Sequence, residues 1–138
     1  MPLLKNFGYF LLWLILILYL SFTPLKDWPQ PTIFQKLYID KVVHLIMYSV
    51  LSFLLMRSIF QQQLRQQPRY ETMFAALIFS AGIGVLIEIL QPIITSFRRF
   101  EWMDMAANAT GALSGILLFN WMLAKGRMGS VAAQDEQG

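Results

Sequence analysis

Four apolar runs, at about residues 7–22, 42–60, 73–91 and 103–124, dominate this chain of 138 residues and leave only short polar connections between them. Crossing a bilayer takes about 20 mostly apolar residues per helix. Runs of this kind predict an all-α membrane protein, with four transmembrane helices in a compact bundle. Composition agrees, since 57% of residues are hydrophobic and only 14% are charged. That is too little charge to cover a soluble domain of this size. The runs consume most of the sequence, so one membrane domain at 1–125 is expected, followed by a disordered polar tail at 126–138. The lack of cysteine excludes a disulfide framework, a thiolate zinc site and a cysteine nucleophile.

The first run contains FLLWLILILYL and carries no charge. The SFTPL that follows lacks the small-x-small pattern of a cleavable signal peptide, so an uncleaved first helix is expected. Asp40 and Lys41 open the second run. The third is expected to stop at about Gln91, because Pro92 disfavours helical geometry at the residue before it. In the first loop Ile33, Phe34, Leu37 and Tyr38 share one helical face, which predicts a short interfacial segment lying in the headgroup layer. The loop at 61–72 is glutamine-rich and reads as a solvated connector.

The net charge of +3 is not a nucleic-acid signature, because the basic residues are dispersed at the ends of apolar runs, where lipid headgroups attract them. With four crossings, both termini share a side with the second loop. That side carries Lys5, Arg57, Arg65, Arg69, Lys125 and Arg127, against Lys26, Lys36, Lys41, Arg98 and Arg99 on the other. Six against five favours both termini in the cytoplasm.

Polar residues concentrate at the other face. Asp40 and His44 lie four apart at the start of the second run, with Tyr48 one turn deeper. Glu88 and Gln91 lie three apart at the end of the third run, and Asp104 and Asn108 four apart at the start of the fourth. Such spacings place each pair on one helical face, and the alternation of helix directions brings all six to one membrane surface. An ionisable group at that depth needs a bundle interior or a wet cavity, and a partner. Gly111 and Gly115 continue the Asp104–Asn108 stripe, and Ser80 and Gly84 continue that of Glu88, as small residues do where membrane helices pack closely. A tight bundle of the second, third and fourth helices is expected, with a polar pocket at its mouth. Arg98 and Arg99 sit on the loop above it, where guanidinium groups suit a phosphate or carboxylate.

The bland reading of these residues is structural. Asp40 and Asp104 stand where helix N-caps belong, and His44 could simply bridge two helices. Glu88 resists that reading, because the macrodipole disfavours a carboxylate at a helix C-terminus. It must be neutral, or paired with His44 or an arginine. His44 with Glu88 or Asp104 has the composition of an acid–base pair, while Asp40, Gln91, Arg98, Arg99 and Asn108 are candidate binding or orienting groups. The ligand spacing matches no metal motif along the chain, so no metal and no cofactor is expected.

Three blocks carry a resemblance: DKVVHLIMYSVLSFLL at 40–55, GVLIEILQ at 84–91 and RRFEWMDMAANATGALSG at 98–115. In order and separation they resemble the VanZ-like family, whose name comes from a protein that raises resistance to the glycopeptide teicoplanin. The resemblance implies an integral membrane protein of the bacterial cell envelope, with Asp40, His44, Glu88, Gln91, Arg98 or Arg99, Asp104 and Asn108 as signature positions. Three functions then compete. The pocket binds or modifies an anionic envelope lipid or cell-wall precursor, by hydrolysis or group transfer if it is catalytic, although no nucleophile motif identifies a reaction. Alternatively the chain is a non-catalytic partner that modulates a larger envelope enzyme or transporter. The third is a transporter or flippase, which at this length requires a homo-oligomer and shows no inverted repeat. Membrane lipids are partners in all three.

Overall fold

A computed structural model of the chain describes residues 2–23, 33–63, 68–96 and 99–135, with side chains at 6–23, 38–63, 68–96 and 99–126. Its elements are four helices: α1 (Pro2–Phe22), α2 (Ile33–Gln62), α3 (Tyr70–Ile94) and α4 (Trp102–Asp135). Among the described residues there is no strand. Helix α2 is the centre of the bundle and touches the other three, most extensively α4. Helix α3 packs on α4, and α1 leans on α2 and more lightly on α3. Two segments are long and apolar enough to cross a membrane, Tyr38–Gln62 and Tyr70–Ile94, and α1 adds a shorter apolar stretch, Asn6–Phe22.

The helices run further than the apolar runs that announce them. Ile33 begins α2, so the segment expected to lie separately in the headgroup layer forms the first turns of a continuous helix. The side chains of Ile33, Phe34 and Leu37 lie outside the described residues, whereas Tyr38 is exposed. Pro92 sits inside α3 rather than after it. A proline removes one intrahelical hydrogen bond, and so near the helix end the loss is small. The backbone N–H of Thr95 still donates to the Gln91 carbonyl at 2.8 Å, and its hydroxyl donates to the same oxygen at 2.6 Å. Beyond Ala124, α4 continues to Asp135, over most of the segment expected as a disordered tail.

In lipid, helices associate through close packing and hydrogen bonds, since hydrocarbon tails are as apolar as leucine. The glycines show where that packing is closest. A Cβ on Gly111 would collide with the Leu45 carbonyl, and one on Gly115 with the Ser49 carbonyl and the Ser52 hydroxyl. The expected small-residue seam on α4 is therefore pressed against the backbone of α2. Away from the seam, Tyr48, Leu51, Met56 and Ile116 are buried, and Phe119 meets Phe53 and Phe60 edge-on. The Trp13 indole donates to the Met47 carbonyl at 2.9 Å and ties α1 to α2. The outward faces remain apolar, with Leu12, Ile46, Ile78 and Leu117 all exposed.

Candidate functional site

The ionisable and amide side chains that the bundle buries are collected at one end. His44 is 6% exposed, Asp104 3%, Gln91 2%, and Glu88 and Asn108 1% each. Asp40, His44 and Lys41 come from α2, Glu88 and Gln91 from α3, and Asp104 and Asn108 from α4. The seam of Gly111 and Gly115 sets the separation between α2 and α4, and thus the reach between these side chains.

Asn108 is the hinge of the set. Gly84 of α3 makes room for it: a Cβ there would lie 2.9 Å from Asn108 Cβ and 3.1 Å from the Tyr48 ring. From that position Asn108 Oδ1 lies 2.9 Å from His44 Nδ1. An amide oxygen only accepts, so Nδ1 carries the hydrogen and donates. His44 Nε2 then faces Asp40, one turn earlier on α2, with 4.0 Å to its Oδ1.

Lys41 was read along the chain as a flanking charge, but the fold gives it a larger part. Its ammonium bridges α2 to α4, paired with Asp104 and, at 2.6 Å, with Glu101. Asp104 is nearly fully buried and Lys41 largely so. Removing one partner of such a buried pair would leave the other charge uncompensated, which typically costs about 3–5 kcal/mol. The sequence signal for this pair is the E-x-x-D spacing of Glu101 and Asp104, one helical turn apart, with a lysine at the mouth of the facing run.

Glu88 Oε1 accepts the backbone N–H of Glu101 at 3.1 Å. The Glu101 carbonyl in turn accepts the N–H of Asp104 at 3.1 Å, so Glu101 stands at the N-terminal boundary of α4. Glu88 thereby does across two helices what a capping-box glutamate does within one, and the positive end of α4 offsets the unfavourable dipole of α3. Gln91 points elsewhere. Its Nε2 donates at 3.1 Å to the carbonyl of Ser21, satisfying one of the orphan acceptors at the end of α1.

The capping explanation for Asp40 does not hold, because α2 begins two turns earlier at Ile33. Asp104, in the first turn of α4, does occupy a position the dipole favours. Arg99 is exposed on the α3–α4 connection. Arg98 lies outside the described residues. Two open hollows, about 440 and 460 Å³, flank Arg57 at the opposite end of α2 and touch none of these groups.

Buried ionisable and amide side chains at one end, apolar outer faces and two helices of spanning length point to a small helical membrane protein. The model of the VanZ/LLP1 family matches residues 7–123, nearly all of the four-helix region, and the chain belongs to that family. No curated protein and no solved structure matches it.

Proposed function

We propose that this VanZ-family protein crosses the bacterial inner membrane four times, with both termini in the cytoplasm, and binds or modifies an anionic envelope lipid or cell-wall precursor at its extracytoplasmic polar cluster. The observation that carries the reading is the convergence of His44, Asp104, Asn108 and Glu88, all buried, from three helices at one end of a bundle whose outer faces are apolar. Membrane interiors penalise such groups, and their presence there usually marks a functional site. Lys41 and Arg99 supply positive charge at the mouth, and family membership is consistent with a contribution to glycopeptide resistance.

A second reading has its own observation in favour. The His44–Asn108 and Gln91–Ser21 contacts and the Glu88–Glu101 contact all join one segment to another. A register-fixing network in a non-catalytic partner of a larger envelope protein would make the same bonds. Glu88→Gln and His44→Gln separate the two, since each keeps hydrogen-bonding capacity and removes titration. Cells lacking the protein would be complemented with each variant and challenged with teicoplanin and detergents. The site reading expects both variants to reach the membrane at normal levels and fail to complement. Full complementation by both would leave the structural reading in its place.

A further inference from the structure

At the end of the bundle away from the cluster, Arg57 stands apart from the other cations. It lies more than one turn, roughly 7 Å along the axis, before Gln62 at the end of α2, and it is only partly exposed. A charge at that depth in a spanning helix needs a wet cavity or a partner. Lys41, toward the other end of α2, has Glu101 and Asp104. Arg57 has the Tyr9 ring, whose centre is 5.3 Å from the guanidinium carbon. A ring attracts the cation through its quadrupole but offers no oxygen to the five N–H donors. Among the described residues no carboxylate or carbonyl accepts from them.

The two open hollows meet at this side chain, and Gln61 lines both with it. The hollow between α1 and α2 is completed by Asn6, Tyr9 and Leu12. The hollow between α2 and α4 is apolar, walled by Phe53, Phe60, Phe119, Met122 and Leu123. Among the described residues no carboxylate lines either one, and Glu71, at the start of α3, stands outside both. An occupant that suits the pair carries an anion for Arg57 and a long apolar chain for the α2–α4 hollow. Free phosphate lacks the chain. A zwitterionic lipid brings an ammonium group beside Arg57, with no carboxylate there to receive it.

We propose that Arg57 is the headgroup clasp of a binding site for an anionic phospholipid of the phosphatidylglycerol type. The guanidinium pairs with the phosphate, as its planar fork does bidentately, the Gln61 amide stands beside it, and an acyl chain lies along the α2–α4 hollow. Basic pockets between membrane helices hold anionic headgroups in this way. A lipid so placed would touch α1, α2 and α4 together, and so fasten α1, which leans mainly on α2. The site is separate from the polar cluster and holds for either orientation of the chain. In the proposed topology it opens to the cytoplasmic leaflet, whose surface is negatively charged by such lipids.

The test uses the full chain, stripped of lipid in detergent and titrated with single lipids under native mass spectrometry. Phosphatidylglycerol is expected to bind as one tightly held lipid per chain, about tenfold or more tighter than phosphatidylcholine or phosphatidylethanolamine. It should also raise the melting temperature, which phosphatidylcholine should not. Arg57→Gln should weaken phosphatidylglycerol by about 10–100-fold through the lost charge-assisted bonds. Arg57→Lys should recover only part of this, because an ammonium does not grip phosphate bidentately. Met122→Trp leaves Arg57 in place, narrows the acyl hollow, and should weaken the lipid as well. Lys125→Gln removes a cation that lies over Trp121 and lines neither hollow, and it should leave binding unchanged. Equal losses from Arg57→Gln and Lys125→Gln would mean diffuse attraction and overturn the site. So would phosphatidylglycerol held no better than phosphatidylcholine, or held undiminished by well-folded Arg57→Gln or Met122→Trp. Displacement of the lipid by inorganic phosphate would make Arg57 a free-anion site, and the lipid proposal would fall.

Discussion

A carboxylate in the last two turns of a helix lies toward the negative pole of that helix, and Glu88 lives with this by facing a second helix end. Its Oε1 takes the backbone N–H of Glu101 at the start of α4, where the partial charge is positive. The bond to Glu101 needs an acceptor oxygen rather than a charge. Glu88→Gln keeps that oxygen, so its thermal unfolding in detergent should stay within about 1 kcal/mol of the natural chain. Glu88→Leu removes the acceptor, orphans a partly buried N–H, and should cost about 1–3 kcal/mol. If Gln and Leu proved equally costly, the charge rather than the bond would be what stabilises the turn into α4. The complementation test above depends on this distinction, because only a variant that preserves the turn can report on chemistry.

At the scale of elements, the seam between α2 and α4 governs whether the cluster exists at all. Gly111 is pressed on the Leu45 carbonyl, where no side chain can be placed without moving the helix. Gly111→Leu should therefore destabilise the bundle by at least the ~1–3 kcal/mol typical of overpacking, and His44 and Asp104 should separate with it. Gly82, with open space where a Cβ would stand, is the matched control: Gly82→Ala should leave the melting temperature unchanged or raise it, since alanine is the better helix former. Equal effects of the two would mean that the helices do not meet at the seam. The seam and the four-residue pairs were legible in the sequence because both follow from one helical period, and periodicity survives without knowledge of partners. Helix ends were less legible. An apolar run marks where a helix enters lipid, whereas α2 and α4 run past their apolar stretches into polar sequence. Cross-helix partners were hidden for a similar reason. Nothing along the chain says that Gln91 reaches back to Ser21, or that Glu88 meets a backbone N–H.

For the whole molecule, the consequence that matters most is which side of the membrane carries the cluster. The two ends of the bundle differ in kind. One gathers His44, Glu88, Asp104 and Asn108. At the other, Arg57 lies over the Tyr9 ring, Lys125 over Trp121, and Asn6 bonds Gln62. Cationic side chains stacked on interfacial aromatics are typical of a helix end seated at the headgroups, and a basic end is the one retained in the cytoplasm. The proposed topology accordingly puts the cluster outside, within reach of cell-wall precursors and of glycopeptides. The natural lack of cysteine makes this directly measurable with single introduced thiols. Ser96→Cys, exposed at the end of α3 on the cluster side, should react with a membrane-impermeant maleimide in spheroplasts of intact cells. Glu71→Cys, exposed at the start of α3 on the opposite side, should react only after the membrane is opened. The reverse pattern would put the cluster in the cytoplasm, and its ligand would then have to be a precursor made on that side, before export. Labelling of both positions in sealed spheroplasts would show that α3 does not cross the membrane, and the four-crossing arrangement would fall with it.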